Sequence, residues 1–127
     1  MAHPPRDQIP ARTLQRVRKI CLAFPETSEK LAWGHPTFRV RDKIFATIGV
    51  NPDDGNKVTM TAKPPPGEQE ALLADGPPFF FPKYVGVRGW IGFAINSRTD
   101  WKLVAELIED SYREIAPKRV VAQLDER

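Results

Sequence analysis

Two short stretches place cations beside turn or aromatic residues. In "FRVRDK" the cations are Arg39, Arg41 and Lys43; in "KYVGVR", Lys83 and Arg88 flank Tyr84. Guanidinium and ammonium groups make charge-assisted hydrogen bonds to phosphate oxygens, and an exposed aromatic ring can stack on a base. Two basic loop tips, one of them carrying a tyrosine, could straddle a duplex backbone or stack on bases. Lys57 and Lys63 bracket a further strand-like segment. The plainer reading of all these residues is solvated strand faces and charges that guard sheet edges.

No other chemistry assembles. Clustered Cys, His or carboxylate ligands are what a metal ion needs. Here His3 lies in a terminal segment, His35 precedes a proline, and Cys21 falls on an apolar helical stripe. Asp53-Asp54-Gly55 lacks the alternating acids of a calcium loop and reads as a turn. "GVRGWIG" spaces its glycines by three and precedes a strand, whereas a dinucleotide-binding fingerprint opens a helix. Ser111 has no His-Asp pair near it in sequence and reads as a small residue that permits close helix packing. The expectation is therefore no enzyme, no cofactor and no metal.

These residues must be carried by one modest fold. The chain has 127 residues, 41% hydrophobic and 28% charged, as in an ordinary globular domain. A formal charge of +3 permits an anionic partner without demanding one. A single cysteine excludes an internal disulfide and fits a reducing compartment. The absence of a signal-peptide h-region and of a run of 18 apolar residues points to the cytoplasm and away from a membrane.

Residues 1–9 read as a loose Pro-rich tail, 10–120 as one domain and 121–127 as a second tail. Leu14, Val17, Cys21 and Phe24 recur at helical spacing, bounded by Pro10 and Pro25. Lys30–Trp33, Thr37–Arg41, Ile44–Val50 and Lys57–Thr61 read as strands. "GHP" breaks the first pair, and Asp42-Lys43 forms a turn that sets Val40 opposite Phe45. Glu68–Asp75 reads as a short helix closed by Gly76, and Trp90–Ile95 as a central strand. The last helix follows caps at Ser97 or Thr99; Trp101, Val104, Ile108, Tyr112 and Ile115 share its face, and Pro117 ends it. The order α-β-β-β-β-α-β-α suggests an α+β two-layer sandwich, an antiparallel sheet with helices packed on one face.

Three segments, "FPETSEKLAWGHPTFRVRDKIFA", "PPFFFPKYVGVRGWIGFAI" and "DWKLVAELIEDSYREIAPKR", together resemble the MmcQ/YjbR family from about Arg12 to Arg119. The resemblance implies a sandwich similar to the CyaY-like and type III secretion chaperone-like folds. It also implies DNA binding through a "double wing", which here would correspond to the Arg39–Lys43 hairpin and the Lys83–Arg88 loop. No catalytic residues carry over from it. The leading expectation is thus a small DNA-binding protein that uses Arg39, Arg41, Lys43, Lys83, Tyr84 and Arg88. The alternatives are a protein-interaction or homodimerisation module exposing Phe79–Phe81 or the second sheet face, and a small-ligand pocket near Trp33, His35 and Tyr84.

Overall fold

A computed structural model describes residues 9–126 of the chain. Its elements are α1 (Ala11–Cys21), β1 (Thr27–Ala32), β2 (His35–Val40), β3 (Lys43–Asn51), β4 (Lys57–Ala62), α2 (Glu68–Ala74), β5 (Phe79–Phe80), β6 (Ile91–Ile95), α3 (Trp101–Ile115) and α4 (Lys118–Asp125). All strand pairs are antiparallel, in the order β1-β2-β3-β4-β6-β5. This is the expected α+β sandwich in the expected element order, with two-residue β5 and helix α4 added.

The apolar periodicities explain the layers. Leu14, Val17 and Cys21 are the buried stripe of α1, and Val104, Leu107, Ile108, Ser111 and Tyr112 that of α3. Both stripes meet the sheet face carrying Phe38, Val40, Ala46, Ile48, Met60, Ala62, Ile91 and Phe93. Side chains alternate across a strand, so the opposite face holds Thr37, Thr47, Gly49, Thr59, Thr61, Gly92 and Ala94. Asp100 caps α3, accepting hydrogen bonds from the amides of Lys102 and Leu103.

Two buried hydroxyls lock the layers together. Tyr112 Oη donates to the Pro25 carbonyl at 2.8 Å, and its ring stacks on Phe24 at 4.7 Å between centroids. Ser111 is more than a small packing residue. Its Oγ donates to the Phe45 carbonyl at 2.6 Å and accepts from the Lys63 amide at 2.8 Å, tying α3 to β3 and to the residue that follows β4.

Local details depart from the sequence reading. The β2–β3 turn is Arg41-Asp42, one residue earlier than expected, so Val40 faces Lys43. Both turn residues have positive φ, +50° and +66°, as the tight hairpin turn requires. Asp42 compensates for the absent glycine: its carboxylate accepts from Lys30 Nζ at 2.6 Å and lies 3.6 Å from Arg39. Pairing then skips a residue, with Arg39 opposite Ile44 and Phe38 opposite Ala46; the bulge turns the extra residue, Phe45, into the core.

The break expected at "GHP" falls one residue earlier. Trp33-Gly34 forms the turn, at φ +50° and +81°, and His35 and Pro36 already belong to β2. α1 ends at Cys21, leaving Phe24 in the connection to β1. At the C-terminus the chain resumes as a helix through Asp125, and α4 buries Val120. Most of the expected tail 121–127 is therefore helical, because Pro117 starts a helix as readily as it ends one. Residues 1–8 of the other expected tail lie outside the described residues, and Ile9 is buried against the core.

Candidate nucleic-acid interface

The strand registers decide where the six candidate residues go. Ala46 pairs with Ala62, and Ala62 with Ile91, so the starts of β3 and β6 lie at the same end of the sheet. The 40–43 hairpin and the 81–90 loop therefore project from that end. Three strand spacings, about 14 Å, separate their centres.

The hairpin's cations are largely committed. Arg41 makes a two-pronged contact with Glu26, Nε to Oε1 at 2.7 Å and Nη2 to Oε2 at 3.3 Å. Those hydrogen bonds, with a further one from Gln123, hold the Glu26 carboxyl below its ordinary range, and Glu26 in turn raises the Arg41 guanidinium. Arg39 lies against the sheet with its side chain only 18% exposed; its Nε donates to Thr37 Oγ1 at 3.1 Å beside Asp42. The hydrogen bond from Lys30 lowers the Asp42 carboxyl. Lys43 alone of the three is exposed and outside any ion pair among the described residues.

The second loop is braced from below. The Gln69 side-chain amide donates to the carbonyls of Gly86 and Trp90, each at 2.7 Å. The Phe81 ring lies over Gly86, where even a Cβ would come within 2.5 Å. On that base Tyr84 stands 90% exposed at φ +66°, next to Val87 at 82%. Lys83 and Arg88 are exposed with no carboxylate partner among the described residues. Arg88 and Lys63 line a cleft of about 400 Å³ that also holds Glu70 and Glu114, so the local field is mixed.

A second cationic region escaped the sequence reading. Helix α1 carries Arg12, Arg16, Arg18 and Lys19 and no acid. Arg18 turns under to Glu29 at 2.7 Å. Arg12, Arg16 and Lys19, spaced four and three apart, share the exposed face and have no carboxylate partner among the described residues. Arg16 lies over the Trp101 ring, 4.6 Å from its centroid, and exposed Arg98 and Lys102 sit on either side of that tryptophan in sequence. The readable signal was an 11-residue helix with four cations and no carboxylate.

Other candidates resolve simply. Cys21 is fully buried, and desolvation, aided by the charge of Glu29, pushes its thiol well above the usual range. Trp33 and His35 lie at the β1–β2 turn, the opposite end of the sheet from Tyr84, so the three line no common pocket. Among the described residues no group of three His, Cys, Asp or Glu is placed to hold a metal, and no helix is long and apolar enough to cross a membrane.

The YjbR family model matches residues 22–114, which span β1 through nearly all of α3. The chain belongs to the YjbR family. Two solved structures share its fold. A Deinococcus radiodurans protein with a DUF419 domain superposes with a TM-score of 0.67 at 18% identity, over 88% of this chain and 80% of its own. A Pseudomonas syringae protein superposes with a TM-score of 0.65 at 19% identity, over 83% of this chain and 97% of its own. No curated protein matches. The family match begins at Leu22, so it includes both basic loops and leaves out the cationic face of α1.

Proposed function

We propose that this YjbR-family protein is a non-enzymatic nucleic-acid-binding protein that contacts phosphates chiefly through the outer face of α1. The observation that carries this reading is the group Arg12, Arg16 and Lys19, continued by Arg98 and Lys102 around Trp101, exposed and without carboxylate partners among the described residues. Along the helix Arg12 and Lys19 stand about 10 Å apart, a span over which duplex DNA presents about six phosphate charges. Contacts of this kind hold the backbone and carry no base sequence.

A second reading places the contact at the sheet end, through Lys43, Lys83 and Arg88 with Tyr84 as a stacking platform. The 90% exposure of Tyr84 favours it. Arg39 and Arg41 drop out of both readings because their charge is already spent on Asp42 and Glu26.

Fluorescence titration of labelled duplex and single strands at several salt concentrations tests the proposal. Replacing Arg12, Arg16 and Lys19 together by Ala should weaken binding of all sequences alike and flatten the plot of log K against log salt by about 2.7. The Lys43, Lys83 and Arg88 triple-Ala variant should leave that slope nearly intact; the reverse pattern selects the second reading. Absence of binding to either form at low salt refutes both.

A further inference from the structure

The two edges of the sheet are built differently. At one, β5 is only two residues long and sits among Pro77, Pro78 and Pro82, which bring no backbone N–H to a neighbouring strand. Such an edge is blunted against pairing. At the other, β1 is six residues long, contains no proline, and among the described residues pairs only with β2. In an antiparallel ladder alternate residues aim their N–H and C=O groups outward, so β1 presents a row of them to solvent.

Charged side chains usually guard such an edge, and β1 has Glu29 and Lys30 at its centre. Both already have partners within the molecule, Glu29 in Arg18 at 2.7 Å and Lys30 in Asp42 at 2.6 Å, which weakens but does not abolish their charge. At the end of the same edge Leu31 is 55% exposed, and Trp33 in the adjoining turn 78%. An open ladder, weakened charges and an apolar terminus are what a second strand requires.

We propose that two copies of this chain pair antiparallel through β1, about a twofold axis at Leu31, joining their sheets edge to edge. Symmetry restricts the register. A twofold axis normal to the sheet keeps each face on its own side, so the strand must pair about one of its residues. Pairing about Glu29 or Lys30 sets like charges directly opposite. Pairing about Leu31 sets Leu31 against its copy and Lys30 against Ala32 of the partner subunit, with no like charges opposed. The inference is independent of the nucleic-acid reading, since neither the α1 face nor the Lys83–Arg88 loop takes part.

Sedimentation velocity over about a hundred-fold range of protein concentration reads the equilibrium directly. The wild-type chain should pass from monomer to dimer, and the outward-facing alternate amides of β1 should gain hydrogen-exchange protection over the same range. Leu31→Lys and Leu31→Glu, both at an exposed position, should each raise the dimer dissociation constant by about ten-fold or more. An equimolar mixture of the two should re-form the dimer, because the proposed axis sets residue 31 against itself. Phe81→Ser beside the blunted edge should leave the dimer dissociation constant unchanged. A wild-type chain that stays monomeric throughout overturns the proposal. So does a dimer indifferent to Leu31, or a pair of variants that fails to complement.

Discussion

The β2–β3 hairpin and the exposed face of α1 carry equal numbers of cations and opposite electrostatics. Arg39, Arg41 and Lys43 lie within five residues of sequence, and two of them are held by carboxylates. Arg12, Arg16 and Lys19 are spread over two turns of helix and have no such partner among the described residues. One of those acids comes from elsewhere, Glu26 at 15 residues from Arg41, whereas Asp42 is the hairpin's own turn residue, three from Arg39. Local density of positive residues therefore says little about free charge. What matters is whether the fold delivers acids to them, and of these two regions the α1 face is the one left wholly unserved among the described residues.

The largest effect separating the two regions should come from charge reversal. Arg12→Glu with Arg16→Glu should cost about a hundred-fold or more in nucleic-acid affinity at low salt, whereas Arg39→Glu with Arg41→Glu should cost less than about three-fold. Equal losses would erase the contrast.

Next in size is unmasking. Glu26→Gln with Asp42→Asn keeps the shapes and removes the charges that quench Arg39, Arg41 and Lys30: contact at the sheet end should then raise affinity a few-fold and steepen the salt slope by about 1 to 2, whereas contact through α1 alone should leave both unchanged. If nothing rises, that end of the sheet does not meet the ligand.

Trp101→Leu takes away the ring on which Arg16 rests and should lower affinity by about two- to five-fold, read in the same titration.

The smallest effect is in pH. Glu26 and Asp42 have carboxyls lowered in the folded state, so the stability they contribute is complete above their unfolded values and lost only as pH falls through the lower folded ones. Carboxyl resonances followed by NMR should show both groups still ionised where ordinary exposed carboxylates protonate. No acid on α1 can give its exposed face a matching transition.

Much of this architecture was legible because it rests on local periodicity. The Leu14-Val17-Cys21 stripe, the α3 face through Tyr112, and the inward Val58 and Met60 all follow from spacing. What escaped depends on contacts distant in sequence or on uncommon backbone shapes. The β2–β3 register turned on Asp42 gathering Lys30 and Arg39, and the β1–β2 turn on a tryptophan at positive φ. The bridging work of Ser111 joins residues 48 and 66 positions away, beyond the reach of any local pattern. The candidate site was less legible than the fold for the same reason. Six residues were placed at one end of the sheet, but their availability depended on Glu26, 15 residues from Arg41, and on which neighbouring cations Asp42 would hold once the turn had formed.

The proline-bound β5 also limits how far assembly can go. A sheet with two usable margins can add copies without end and grow into a fibre. With one margin closed, pairing through β1 as proposed would leave each pair with no open strand edge, and growth by strand addition would stop there.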